Sequence, residues 1–525
     1  MPSSPFSPPT DSPPAVLIQH CRPINAQGHW DGTHLADMLI IGERIERIAP
    51  EIPLSACPEG TQCLDANGWL ATPGAIDPHT HLEMPFMGTT SSDTFETGTR
   101  AALFGGTTSI IDFAIQHPKE GLLETVAKWD AMAQQSLIDY SYHTAITHFD
   151  PAQTPQEMAR LVHEYGMPSF KVFMAYKQAL MVGDDALLAI LEQAHQLGAT
   201  VLTHCEHGDM IEFLQQRVPA EERHLPKWHA LTRPPIVEAE ATGRFVDLAD
   251  VVFKHQAGAG EAYVVHLSCL EALEKVKQAR QQGKAAWVET CIQYLTLDER
   301  LYESEGFEGA KWVFSPPLRH TSDVEALWEG LEAGDIQTVA TDHCPFCTDQ
   351  KRMGETDFTK IPNGMPGIEH RYELLFSEGV AKGRLSPQQW VALTSTNAAR
   401  ILNLPNKGVL ASGYDADVVL FNPLATHTLS AKTHHMQCDY SAFEGWQVQG
   451  KVQQVFRRGE LAIDGHRCLV QAGSGRKMWR ASHNHTASPR PTCAELHAPA
   501  VPAPPPETHS LLSAFSHTHH GGCCS

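Results

Sequence analysis

The amino-acid sequence predicts an α/β protein: a (β/α)8 TIM barrel with a small β-sandwich domain built from both flanking segments. Three observations carry this. Eight short apolar runs alternate with helix-period segments between residue 72 and about 345. Strand-rich stretches lie on either side of that region. Several of the apolar runs end in a single ionisable residue, and barrels of this class build their sites at strand C-termini. Eight βα alternations favour a closed barrel over an open sheet.

Residues 1–14 hold six Pro and four Ser and are expected to form a disordered arm. Residues 15–71 supply the N-terminal part of the β domain, with strands predicted at 15–20, 37–49 (turning near Gly42) and 61–66. The barrel is assigned to 72–407. Its strands are predicted at 74–81, 107–115, 139–147, 169–176, 199–206, 262–268, 285–291 and 336–345, with helices such as 154–166 and 269–283 between them. The acidic stretch 208–258 reads as an insertion over the site. Residues 408–470 return to strands (416–423, 450–463) and complete the β domain. Residues 471–525, rich in Pro, His and Ser, are expected to be a disordered tail.

Of the 525 residues, 42% are hydrophobic and 19% charged, enough apolar matter for a large core and too little charge for a mainly disordered chain. A net charge of −22 argues against general affinity for nucleic acid or an anionic membrane surface. No apolar run reaches the ~18–20 residues of a spanning helix. The N-terminus has neither a basic nor an apolar signal region, so the 13 Cys read as free thiols of a reducing compartment, the cytoplasm.

A barrel strand is buried on both faces and should be nearly all apolar. Here the strand ends carry His79 and His81, Lys171, His204, His266 and Asp342. His79 and His81, at i and i+2, share one strand face and can hold one metal ion. Alone, such a pair fits a hydrogen-bonded core equally well; the surrounding PGAIDPHTHLEMPF favours the metal. Lys171 could snorkel to the surface. If buried, its amine becomes neutral enough to take up carbon dioxide as a carbamate, N6-carboxylysine, whose two oxygens bridge two cations. His204 and His266 could likewise be core histidines; together they would ligate the second metal. Asp342 would bind the first and serve as general base. Two cations ~3.5–4 Å apart would generate hydroxide at neutral pH. Nitrogen and oxygen donors suit zinc first, with Mn, Co and Fe as alternatives.

These motifs resemble the amidohydrolase superfamily, and within it the dihydropyrimidinase / D-hydantoinase family. PGAIDPHTHLEMPF, GTRAALFGGTTSIIDF, SFKVFMAYK, ETCIQY, FSPPLR, TDHCPF and IPNGMPGIE occur in the family's order over residues 15–470. The resemblance implies hydrolysis of a cyclic amide at a two-metal centre with Lys171 carboxylated. Tyr176 matches the family's oxyanion tyrosine; Ser315 and Asn363 match its contacts to the substrate ring amides; Met84, Phe86, Phe173 and Leu180 resemble its hydrophobic gate. Dihydrouracil and dihydrothymine would give N-carbamoyl-β-alanine and its methyl homologue, and 5-substituted hydantoins N-carbamoyl α-amino acids. A homotetramer is also implied.

The chain departs from the family pattern at Ile292, Cys205 and His207, where Pro, Ala and Asn are usual. His207 reads as a loop residue or a partner of His204. Allantoinase and dihydroorotase share the barrel and metal logic, but no arginine follows the HTH motif to bind a dihydroorotate carboxylate. A non-catalytic scaffold of the collapsin-response-mediator type would have lost metal ligands; here all six positions are filled. Cys344-Pro-Phe-Cys347 spells a thioredoxin-like C-x-x-C, unsupported by a second pair. His517, His519 and His520 with Cys523 and Cys524 could bind stray metal.

Overall fold

The computed structural model describes residues 14–255 and 258–485. The expected arm, apart from Pro14, and the expected tail from residue 486 lie outside the described residues.

Eight parallel strands form the barrel: β1 (Ala75–Thr80), β2 (Thr107–Ile115), β3 (Asp139–Ala145), β4 (Ser169–Phe173), β5 (Thr200–His204), β6 (Glu261–Val264), β7 (Trp287–Cys291) and β8 (Thr338–Ala340), hydrogen-bonded in that order. The ring closes where the chain beyond β8 meets β1. Thr80 bridges His343 in parallel, and the His81 N–H donates to the His343 carbonyl at 2.9 Å. Every residue of β1 to β5 is buried, as a parallel sheet sheathed in helices requires. Branched and aromatic runs such as Ile110, Ile111 and Phe113 suit these pleated interior surfaces.

Local signals punctuate the helices. Thr94 and Thr97 form a reciprocal cap at the start of Phe95–Phe104. Thr154–Tyr165 ends at Gly166 with φ 64°, a left-handed stop open to glycine at little cost. The stretch expected to be one insertion divides in two. Pro235–His255 is a 21-residue helix, the barrel's own connection into β6, packed against the helix Leu270–Gln281. Residues 205–234 bring Glu206, His229 and Arg233 to the barrel mouth, and the first turn of the helix adds Val237 against Ala175 and Glu238 against Ser268. Among the described residues no helix is long and apolar enough to cross a membrane.

Strands from both flanks share one nine-stranded sheet, joined where Leu70–Pro73 pairs with Val418–Thr428. The strand Ala15–Pro23 turns at His20 (φ 54°). Before the turn it pairs with Gln62–Asp65, after it with Leu70–Pro73. The sheet thus doubles over Ile18, Met38, Ile40, Val418, Leu420 and Phe456, a separate apolar core beside the barrel.

Composition assigned everything from 471 to the tail, but residues 471–485 pack on the barrel. The Met478 N–H donates to the Tyr140 carbonyl at 2.7 Å and the His483 N–H to the Gly198 carbonyl at 2.8 Å. Arg480 is fully buried: Nε donates to Ser141 Oγ at 2.9 Å, and Nη2 to the Tyr142 carbonyl at 2.6 Å and Ser169 Oγ at 2.9 Å. A segment held by backbone bonds and one buried cation has no hydrophobic periodicity to read. Arg480→Ala leaves those acceptors unpaired, so a loss of about 2–4 kcal/mol in unfolding free energy is expected. Urea titration of the two proteins measures it; an unchanged midpoint would remove this segment from the folded unit.

Candidate metal centre

Six ionisable side chains converge at the C-terminal mouth of the barrel. β1 delivers His79 and, one residue past its end, His81. Their Nε2 atoms lie 3.2 and 3.0 Å from the same oxygen of Asp342, which follows β8. The three ligand atoms all lie within 4.8 Å of one another. Opposite them, His204 at the end of β5 and His266 beyond β6 face each other, Nδ1 to Nε2, at 2.9 Å. Lys171 in β4 is 1% exposed, its Nζ 5.1 Å from the ring centres of Phe113 and Phe173. One pocket is lined by all six together with Met84, Phe86, Phe173, Tyr176, Leu180, Ser315 and Asn363.

Hydrogen bonds fix which nitrogens are free. Glu289 Oε1 takes the proton of His79 Nδ1 at 2.7 Å and also accepts the His266 N–H at 3.2 Å, while Oε2 accepts the Tyr263 hydroxyl at 3.0 Å. Burial works against charge on His79, but Asp342 and Glu289 together raise its pKa to about 9. Both ring nitrogens therefore donate, Nδ1 to Glu289 and Nε2 to Asp342, and a cation at Asp342 would displace the Nε2 proton. Glu206 takes the proton of His204 Nε2 at 2.8 Å and is itself paired with Arg233 at 2.6 Å. The His204 lone pair at Nδ1 thus points at His266. His81 Nδ1 and His266 Nδ1 are buried without a hydrogen-bond partner. A carboxylate clasped by two imidazoles and two imidazole nitrogens 2.9 Å apart are arrangements that a divalent cation can take over by displacing protons. Imidazoles braced by carboxylates are good zinc-type donors.

The electrostatics agree. Burial lowers the Lys171 amine to about 8, despite the opposing pull of Asp342 and Glu289. Burial likewise lowers His81 to about 4. At Asp342 burial works upward, but His79 and His81 overcome it and hold the carboxyl well below its ordinary range. Burial raises the Tyr176 phenol well above its usual value, so it stays a proton donor.

Comparison with known proteins gives the family. The amidohydrolase family profile matches residues 70–462. A D-hydantoinase of Geobacillus stearothermophilus is 44% identical over 451 residues, which are 85% of this chain and 93% of the relative. The chain belongs to the amidohydrolase family. A dihydropyrimidinase of Arabidopsis thaliana is 38% identical over 88% of this chain and 84% of its own length. The crystal structure of dihydropyrimidinase from Brevibacillus agri superposes with a TM-score of 0.85, at 42% identity, covering 90% of this chain and 100% of that one.

This amidohydrolase keeps three site residues in left-handed backbone: Tyr176 (φ 65°), His266 (φ 40°) and Asp342 (φ 51°). Each lies just beyond a strand end and turns back over the mouth. Such conformations cost about 1–3 kcal/mol each for non-glycine residues, and persist where the surroundings dictate them. The pocket wall is braced as well. Lys351 Nζ donates to the carbonyls of Val313, Pro362 and Gly364 at 2.8, 2.7 and 2.6 Å, tying the segments that carry Ser315 and Asn363. Tyr176 and Ser315 line the same pocket wall, Ser315 Oγ lies 3.4 Å from His229 Nε2, and the Tyr176 ring meets Phe86 edge-on at 5.6 Å.

Sequence reasoning missed Glu289, Glu206, Arg233 and Lys351. Glu289 carried a usable signal, a carboxylate inside the apolar run AAWVETC. His207 is not the partner of His204. It caps the helix Gly208–Gln215, with Nδ1 3.4 Å from the Met210 N–H, and Glu206 partners His204 instead. Glu289→Gln keeps one acceptor oxygen but removes the negative charge that braces His79 and the His266 N–H. Metal affinity is expected to fall ~10–100-fold, measured by chelator competition; unaltered retention would deny Glu289 this bracing role.

Proposed function

We propose that the protein hydrolyses the ring amide of 5,6-dihydrouracil, dihydrothymine or 5-substituted hydantoins to N-carbamoyl amino acids. The observation that carries this is a single pocket in which four histidines, Asp342 and a buried lysine adjoin Tyr176, Ser315 and Asn363. The hydantoinase and dihydropyrimidinase relatives, 38–44% identical over most of their length, support the same substrate class.

His79, His81 and Asp342 on one side, and His204 and His266 on the other, would hold two divalent cations, zinc foremost, with carboxylated Lys171 between them, and these cations supply an activated water and a polarised carbonyl. Asp342, ionised and 3.0 Å from His81 Nε2, takes the proton of the attacking water and returns it to the departing ring nitrogen. Tyr176, kept protonated by burial, donates to the oxygen that gains charge in the transition state. Ser315 and Asn363 orient the ring amides. Asn363 Oδ1 is buried without a partner, an acceptor suited to a ring N–H. Met84, Phe86 and Phe173 exclude water and face the exocyclic substituent.

A homotetramer and a cytoplasmic location belong to this proposal. Phe213, Leu231, Ile236 and Val251, each more than half exposed on the segment between β5 and β6, offer apolar surface for a subunit contact.

The deciding experiment follows ring opening of dihydrouracil and of 5-monosubstituted hydantoins by protein loaded with zinc and bicarbonate. Turnover is expected, and it should disappear in Lys171→Gln and after chelation. No turnover of any cyclic amide by protein holding two metals would end the proposal. Carboxylation supplies a second check. The carbamate forms from the neutral amine, and burial lowers the Lys171 pKa from 10.5 to about 8. At a fixed concentration of dissolved carbon dioxide, reconstitution of stripped protein should therefore quicken as pH rises toward about 8 and level off above it. A rise continuing to the ordinary lysine range would show that Lys171 is not buried before metal binds.

A further inference from the structure

The C-x-x-C spacing pairs Cys347 with the wrong sulfur. Cys344 lines the metal pocket, whereas Cys347 faces Cys438 in the C-terminal flank. The Cys347 and Cys438 sulfurs and an oxygen of Asp439 all lie within 4.8 Å of one another. The two segments are held in place. The Thr348 N–H donates to Asp439 Oδ1 at 2.8 Å, and the Gln437 N–H to Asp93 Oδ1 at 2.9 Å. The Ser92 hydroxyl donates to the Pro345 carbonyl at 3.2 Å and the Cys438 thiol to the Phe346 carbonyl at 3.9 Å, which holds both beside the Cys347 sulfur. In its thiol form Cys347 can donate to the Gln437 carbonyl at 3.5 Å. Cys347 is half-buried and Cys438 lies behind it, 8% exposed.

We infer that Cys347 and Cys438 form a dithiol oxidised by hydroperoxides, with Cys347 the attacking sulfur and Cys438 the resolving one. A reactive cysteine needs a stabilised thiolate with solvent access, and a neighbouring thiol to capture the sulfenic acid. The neighbouring Cys438 thiol lowers Cys347 below the usual thiol range, while Cys347 and burial raise Cys438. The greater exposure of Cys347 makes it the sulfur that a peroxide reaches first. The Cys347 thiolate attacks one peroxide oxygen and the O–O bond breaks. The departing hydroxide takes a solvent proton and leaves as water, and Cys347 becomes a sulfenic acid. The Cys438 sulfur then displaces its hydroxyl, which leaves as a second water with the Cys438 proton. Two electrons pass from the sulfurs to one peroxide, and one S–S bond forms. The consequence reaches the pocket: the Cys347 sulfur accepts the Gln350 N–H at the start of Thr348–Lys351, the segment that ends in Lys351.

The test treats reduced, metal-loaded, full-length protein with a few equivalents of hydrogen peroxide and maps the non-reduced digest by mass spectrometry. A Cys347–Cys438 cross-linked peptide is expected, lost on adding dithiothreitol. Cys438→Ser should stop at a Cys347 sulfenic acid trapped by dimedone, and Cys347→Ser should leave Cys438 reduced. Without any variant, Cys347 should react with iodoacetamide near pH 6.5 about tenfold faster than exposed Cys63. Cys347 remaining reduced while Cys63 oxidises, or cross-linking to any other cysteine, would overturn the inference. So would protection of both thiols that lifts on chelation, which would assign the cluster to a bound cation.

Discussion

Gathering ionisable groups where water cannot reach them is the constraint around which the rest of this molecule is arranged. Asp342 is sheltered at the barrel mouth and Glu289, Lys171 and four histidines are buried there, and isolated charge at such depth costs several kcal/mol per ion. The site answers by mutual engagement. Asp342 draws on His79 and His81, Glu289 serves three donors from β1, β6 and the turn after β6, and Arg233 neutralises Glu206. What these contacts gather is a set of imidazole and carboxylate atoms aimed at shared points, a donor capacity that a cation can use by displacing the His79 proton.

The opposite end of the barrel handles charge differently. Asp139 opens β3 beside Asp415 and Asp417. These three carboxylates resemble a cation site in their spacing, but Lys407 occupies the middle, 2.7, 3.0 and 2.6 Å from them, and Arg458 also pairs with Asp139. A lysine in the chain does there what a bound ion would do at the mouth. The contrast fits the division of labour in barrels, with stability at the strand N-termini and chemistry at the C-termini. Lys407 and Arg458 also tie the flanking sheet to the barrel base, so the β domain acts as a brace.

Much of this was legible in the sequence because barrel strands are apolar by necessity, which makes each polar interruption conspicuous. His79, Lys171, His204, His266 and Asp342 stood out for that reason, and all reach one pocket. Glu289 met the same criterion, standing two residues before the end of β7 as Lys171 does in β4, but a lone carboxylate in a strand does not tell which donors it will serve. Arg233 and Lys351 were invisible for another reason. Arg233 lies in a loop and Lys351 ends a single helical turn, places where charged residues are ordinary. Only the folded chain reveals that one pairs with Glu206 and the other gathers three carbonyls. Arg480 was hidden by composition, since a short, ordered stretch adjoined the low-complexity run.

The Lys351 ammonium holds carbonyls from two loops that are far apart in the chain but adjacent at the pocket. Engineering of substrate range would draw its replacements from those same loops. Because one side chain joins them, a shift in the Ser315 segment displaces the Asn363 segment, and paired replacements become epistatic where isolated loops would combine additively. Libraries that vary both loops together therefore sample pockets that stepwise, one-loop selection never visits.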